Sequence, residues 1–131
     1  MRLISDDILA VITIWQEAAG ESMDGKTAVA EVIRNRMEQQ VHSDGTVAGT
    51  VLRPQQFSGW NSDSIRRIES VLLDSNDLTV QACMTAWHAA MLGASNYAKG
   101  ALYFFNPKVK IPAWATQMTK VATIGQLEFY V

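Results

Sequence analysis

A single cysteine, Cys83, rules out an internal disulfide, and the same count excludes a zinc site built on cysteines. The two histidines, His42 and His88, stand apart without ligand spacing, so neither supports a metal site. No apolar run approaches the roughly 20 residues that a membrane span needs. The opening Met1-Arg2-Leu3-Ile4-Ser5-Asp6-Asp7 puts two acids where a signal peptide requires an uninterrupted apolar core. Synthesis in the cytoplasm without a signal peptide is therefore expected, and a target beyond the membrane would need separate delivery. Positive charge is not in excess either: eleven Lys and Arg face thirteen Asp and Glu, for a net charge of −2. Without a basic stripe, nucleic acid is not an expected partner. Internal repeats, low-complexity tracts and long linkers are absent as well.

What remains is an ordinary globular composition, with 48% hydrophobic and 18% charged residues in 131. That length suits one domain over residues 1–131 with a core of its own. Ser5, Asp6 and Asp7 offer capping groups for a helix beginning near Ile8 and stopping at Gly20. A second helix is predicted after Ser22 to about Gln39, with Val29, Val32, Ile33 and Met37 inward and Glu31, Arg34 and Glu38 facing water. Thr46 can cap a short helix through Leu52 before Pro54 breaks it, and Gln55 to Asn61 reads as irregular. A third helix spans Ser64 to Leu73. The fourth follows an Asn76-Asp77 cap, presents Val80, Cys83, Met84, Trp87 and Met91, and ends at Gly93. Strands follow: Ala101 to Phe105, Val121 to Ile124, and Leu127 to Val131 across Gly125. Helices first and a small terminal antiparallel sheet imply an α+β fold.

On the first helix, at 100° per residue, Val11, Ile12, Trp15 and Ala19 fall within about 60° of Ile8, and Glu17 points roughly opposite. That opposite side carries Ala10, Thr13 and Ile14 instead of charges, so the helix is apolar nearly all round and expected to be buried. Burial and the negative end of the helix dipole both raise the pKa of a carboxyl there. Glu21 adds a like charge if the helix continues past Gly20. A carboxyl that keeps its proton near neutrality suits acid catalysis of glycosidic cleavage. Phase alone does not decide the matter, since a lone glutamate is more often solvated on a surface.

A resemblance adds to this. Trp15-Gln16-Glu17-Ala18-Ala19-Gly20-Glu21, followed by Gly25-Lys26-Thr27-Ala28-Val29-Ala30-Glu31-Val32-Ile33-Arg34-Asn35-Arg36, resembles the opening signature of SleB-type cell wall hydrolases, E-A-R-G-E and then G-x-x-A-V-A-x-V-I-x-N-R. Pro54-Gln55-Gln56-Phe57-Ser58-Gly59-Trp60 is similar to that family's Q-x-Q-F-S segment, and Gly100-Ala101-Leu102-Tyr103-Phe104-Phe105-Asn106-Pro107 to its G-A-x-Y-F-x-N-P. Trp114 and the closing Ile124-Gly125 and Phe129-Tyr130 also fit. Four blocks in order cover most of the chain. The resemblance implies a lysozyme-like fold and cleavage of the β-1,4 bond between N-acetylmuramic acid and N-acetylglucosamine, commonly as a lytic transglycosylase. Glu17 carries over as general acid and then base, with no metal or organic cofactor.

Glu21, Gln56, Phe57, Ser58, Trp60 and Tyr103 are the substrate-binding candidates; Glu21 has a structural or pKa-tuning role as its other assignment. Gln56, Phe57 and Ser58 are expected on the cleft wall, and Trp60 can stack on a sugar. Strand alternation pairs Tyr103 with Phe105 and Leu102 with Phe104, leaving open which pair is core. Trp15, Met84 and Trp87 are expected in the core, and Asn35 and Arg36 in ties to a neighbouring loop. Two departures stand out. Leu127 occupies the histidine position of the family's G-x-H-x-F-Y ending, and Ala19 stands where an arginine is common. The implied partner is the peptidoglycan glycan strand, reached by a monomer through a holin pore, with a virion, or otherwise at the murein layer. The alternatives are a hydrolytic N-acetylmuramidase, a catalytically silent peptidoglycan-binding module, and a helical interaction domain with Glu17 open to solvent.

Overall fold

Ser5 opens the first helix: its hydroxyl accepts from the Ile8 backbone N–H at 3.2 Å, and Asp6 and Asp7 complement the dipole from the first turn. This helix, α1, runs Asp6–Ala18. In the computed structural model the described residues are 4–54, 56–61 and 63–131. Met1 to Leu3 of the N-terminal reading and Gln55 of the Q-x-Q-F-S match lie outside them. Helix α2 is Met23–Gln39, capped by Ser22 and ended by Gln40 in the left-handed region. Thr46 caps α3, Val47–Val51; α4, Ile65–Glu69, passes into a 3₁₀ turn at Ser70–Leu72. Asp77 caps α5, Leu78–Leu92, and Gly93 closes it at φ +67°.

Three strands complete an α+β fold: β1, Tyr103–Phe105; β2, Lys120–Ile124; and β3, Leu127–Tyr130. Their order is β1-β3-β2, antiparallel throughout, with Tyr103 opposite Tyr130 and Ile124 opposite Leu127. The β2–β3 hairpin turns on Gly125 at φ +57°, where a Cβ would also stand 2.6 Å from Glu21 Oε1. Phe104 turns inward onto Phe57 and Phe129, while Tyr103, Phe105 and Tyr130 gather around Trp114 on the other face. The core lies where α1, α2 and α5 meet the inner face of this sheet. Among the described residues no helix is long and apolar enough to cross a membrane.

Several expected faces are corrected. On α1 the buried side is Leu9, Ala10, Val11, Thr13, Ile14, Gln16 and Ala18, whereas Ile8 is 47% exposed and Trp15 only partly covered. When a helix is apolar nearly all round, packing decides which side goes in, and here the smaller residues face α2, α3 and α5. Trp15 instead lies beneath the Arg66 guanidinium, 5.2 Å from its ring centre. On α5, Trp87 is core and its indole N–H donates to Asp7 Oδ1 at 2.9 Å, but Met84 and Met91 face outward. Ala86 and Ala90 take the inward positions. Glu31, expected in water, is fully buried. Helix α1 also ends at Ala18, so Glu21 lies beyond the helix and not on its i,i+4 stripe.

Candidate active site

Because α1 turns its Ala10–Thr13–Ile14 side inward, the last-turn residue on that side, Glu17, is carried to the floor of a cleft of about 810 Å³. The residue is partly accessible from the cleft, but its Oε1 is sealed from solvent and has no hydrogen-bond partner among the described residues. Desolvation pushes the carboxyl pKa up to about 7, while the backbone of Gly59 and the charge of Arg36 pull the other way. Burial is thus the dominant cause. Glu21 is occupied elsewhere, its Oε1 accepting from the Gln126 backbone N–H at 3.2 Å.

The carboxyl is overlaid by the segment after Pro54, which docks on α1 through polar contacts. Trp60 Nε1 donates to Thr13 Oγ1 at 2.8 Å, and Thr13 Oγ1 donates to the Leu9 carbonyl at 2.8 Å. Gln16 Nε2 donates to Ser70 Oγ at 2.9 Å, and Ser70 Oγ donates to the Arg66 carbonyl at 2.6 Å. Gly59 sits between these two relays, so close that a Cβ on it would lie 2.5 Å from Gln16 Oε1 and 2.7 Å from Gln16 Cβ. The Gln16 Cβ has no freedom to retreat. Gly59→Ala is therefore expected to push the Ser58–Trp60 turn off α1, costing about 1–3 kcal/mol of stability. Thermal melts check this; an unchanged melt would show that the turn does not depend on this contact.

Opposite Glu17, the buried Arg36 guanidinium is sandwiched 5.1 Å from the Phe57 ring centre and 5.2 Å from that of Tyr103. Its Nε donates to the Leu102 carbonyl at 2.6 Å and its Nη1 to Gln56 Oε1 at 3.3 Å. Asn35 Nδ2 donates to the Ala101 carbonyl at 3.0 Å, so the expected tie from α2 to a neighbouring loop is present. Arg36 also lines the cleft, a position sequence reasoning missed although the N-R pair closes the α2 motif. Burial lowers its pKa to about 10, and Tyr103 and Glu17 oppose that.

Glu21, Gln56, Ser58 and Tyr103 line the cleft with Glu17 as expected. Phe57 does not: it is core, packed on Phe104, because the apolar ring is worth more inside than on a wetted wall. Trp60 does not line it either, since its indole is committed to Thr13 and its body packs against the core. Leu127, at the family's histidine position, is buried on the cleft wall. Gln16, His42, Lys110 and Trp114 also line it. His42 was read as isolated, yet its Nε2 lies 3.3 Å from the Tyr103 hydroxyl, a partner 61 residues away that no local pattern reveals.

A profile of the Cell Wall Hydrolase family matches residues 20–130, beginning three positions after Glu17. The spore cortex-lytic enzyme of Oceanobacillus iheyensis is 29% identical over 122 residues, which is 93% of this chain and 40% of that protein. The spore cortex-lytic enzyme of Bacillus subtilis is 25% identical over the same length, 36% of that protein. The chain thus spans about two fifths of the curated relatives it matches. Among solved structures, the catalytic domain of the germination-specific lytic transglycosylase SleB from Bacillus anthracis superposes with a TM-score of 0.74 at 24% identity, covering 100% of this chain and 99% of that one. The catalytic domain of the Bacillus cereus SleB protein gives 0.73 at 25% identity, covering 96% and 89%.

Proposed function

We propose that this chain, which belongs to the cell wall hydrolase family, is an enzyme that cleaves the β-1,4 bond between N-acetylmuramic acid and N-acetylglucosamine in peptidoglycan, as a lytic transglycosylase acting at the murein layer. The observation that carries the reading is the Glu17 carboxyl, sealed on one oxygen and held near pKa 7 at the floor of a cleft wide enough for sugar rings. A neutral carboxyl partly open to the cleft suits a proton donor waiting for the glycosidic oxygen.

In the proposed reaction Glu17 gives its proton to the bridging oxygen as the bond to muramic acid C1 breaks, and N-acetylglucosamine leaves with a free hydroxyl. Positive charge develops on the muramic ring. The 6-hydroxyl of that same sugar attacks C1, its proton returns to Glu17, and a 1,6-anhydro ring closes. One carboxyl serves both steps, because an internal nucleophile is positioned by covalent geometry and needs no second carboxylate. The engagement of Glu21 with the Gln126 backbone supports a structural part for it. Digestion of purified peptidoglycan with mass spectrometry of the fragments tests the scheme: anhydro ends are expected. Reducing muramic ends would make it a hydrolase, and no soluble fragments a binding module.

A pH dependence follows. The donor must be protonated, so with a Glu17 pKa of about 7 the value of kcat/KM should fall on the alkaline side of neutrality, about ten-fold per pH unit once well above it. A rate unchanged from pH 6 to pH 9 would remove Glu17 as the acid.

A further inference from the structure

His42 lies outside every matched motif and takes no part in the proposed chemistry, yet it pairs on the cleft wall with Tyr103, the tyrosine of the G-A-x-Y-F-x-N-P block. His42 sits at φ +49°, a conformation uncommon for a residue with a side chain, just after the α2 cap. There its ring meets Tyr103 edge-on at 5.9 Å with Nε2 3.3 Å from the phenolic oxygen. Both side chains line the cleft. We propose that His42 sets the hydrogen-bonding sense that the Tyr103 hydroxyl presents to substrate, making His42 a positioning residue for sugar binding. The inference rests on the glycan-binding reading of this cleft.

The chemistry follows from one proton. When His42 is neutral with its proton on Nδ1, its bare Nε2 accepts the Tyr103 O–H, and the phenolic oxygen keeps its lone pairs for the cleft. When His42 is protonated, Nε2–H donates to that oxygen and the Tyr103 proton turns outward. An N-acetyl N–H can only donate, so it needs an acceptor on the wall. Side-chain acceptors there are largely committed: Gln56 Oε1 takes Arg36 Nη1, Glu21 Oε1 takes the Gln126 N–H, and Asn106 Oδ1 takes the Lys108 N–H. Gln16 Oε1 and Glu17 Oε1 are sealed. Arg36, Arg66 and Lys110 only donate. Ser58 Oγ and the Tyr103 hydroxyl remain as acceptors on the wall, and neutral His42 holds the Tyr103 oxygen in that sense.

The charged groups facing His42 are Arg36 from α2 and Arg53 beyond α3, with Tyr103 across from it on β1. Slight desolvation first, and then Arg36 and Arg53, depress the pKa of the exposed His42 below 6.5, so neutral His42 prevails at neutral pH and is lost as the solution is acidified.

The test uses the full chain carrying Glu17→Gln, which removes the Glu17 titration from the cleft, and the neutral probe tetra-N-acetylchitotetraose. Calorimetric affinity is expected to be about five-fold tighter at pH 7.5 than at pH 5, the worth of one net hydrogen bond. Adding His42→Gln, whose amide oxygen reaches as far as Nε2, should hold affinity at the pH 7.5 level throughout. Adding His42→Asn, which tolerates the backbone but falls short, or Tyr103→Phe, should hold it flat and weak. A merely structural histidine would lower affinity equally at every pH in both substitutions, and that result overturns the proposal. So does unchanged pH dependence in the His42→Gln form, or no probe binding by a protein whose wild type degrades peptidoglycan. Failure of the wild type to degrade peptidoglycan overturns the underlying reading instead.

Discussion

Glu17→Gln is expected to abolish release of glycan fragments, by at least roughly 10²–10⁴-fold, while producing a protein that is more stable than wild type above neutral pH. The loss follows from the scheme, because an amide offers no proton to the leaving oxygen and accepts none from the 6-hydroxyl. The gain follows from linkage. Burial lifts the carboxyl pKa from 4.5 to about 7, so the folded chain holds a proton that the unfolded chain releases. The stability associated with the neutral carboxyl is complete below about pH 4.5 and is lost as pH rises through 7. Allowing for the partial opening of the residue to the cleft, the loss is on the order of 2 kcal/mol. Glutamine is neutral at every pH and escapes it. Melting curves of the two proteins should coincide near pH 4 and separate by pH 8, with the glutamine form higher. A glutamine form that still releases fragments would dismiss Glu17 from the chemistry, and coincident curves at pH 8 would show the carboxyl to be well solvated.

This opposition explains what the sequence could and could not disclose. Local rules placed α2 after Ser22, capped α3 with Thr46, stopped α5 at Gly93 and broke the hairpin at Gly125, because each depends on one residue and its neighbours. The inward face of α1 was not legible. Its apolar residues lie on every side, so the choice between the Ile8 stripe and the Ala10–Ile14 side was settled by α2, α3 and α5. Phe57 and Trp60 were misplaced for a related reason. Aromatic rings in a loop beside a cleft look like sugar platforms until the core residues 47 positions either side claim them, Phe104 in one case and Thr13 in the other. The desolvation of Glu17 was legible in part, since residues 8–16 of α1 carry no charge and the glutamate follows at the end of that run.

The segment over the site carries the same lesson in its energetics. Helix α4 buries no residue, and Ile65 and Ile68 are about two-thirds exposed. What ties it to α1 is the Gln16–Ser70–Arg66 relay and the Arg66 guanidinium over Trp15, while the preceding turn is tied by Trp60 to Thr13, each hydrogen bond worth only about 1 kcal/mol net. A roof held by directional bonds can carry Gly59 against the carboxyl without filling the cleft with apolar side chains.

The largest stability loss is expected at Glu31. Its fully buried carboxylate accepts Ser95 Oγ at 2.5 Å and the Tyr97 N–H at 3.2 Å on Oε2, and the Ala98 N–H at 2.7 Å on Oε1. Glu31→Ala strands these three donors and leaves a void, which should cost about 3–5 kcal/mol, much of the total for a small domain. Glu31→Gln is not a rescue. One carboxylate oxygen becomes an NH₂ group, and whichever way the amide turns it confronts a backbone N–H, because Tyr97 and Ala98 donate to different oxygens; about 2 kcal/mol is expected to go. The damage should spread by a defined route. The loop that Glu31 clamps continues into Ala101 and Leu102, whose carbonyls hold Asn35 and Arg36, and then into Tyr103. Denaturant titration should show the midpoints falling in the order wild type, glutamine, alanine. Hydrogen exchange on the folded glutamine form should show the Tyr97 and Ala98 amides losing protection before those of α2. Midpoints unchanged by alanine would mean that this buried side chain holds nothing together, and the path from α2 to the wall of the cleft would have to run elsewhere.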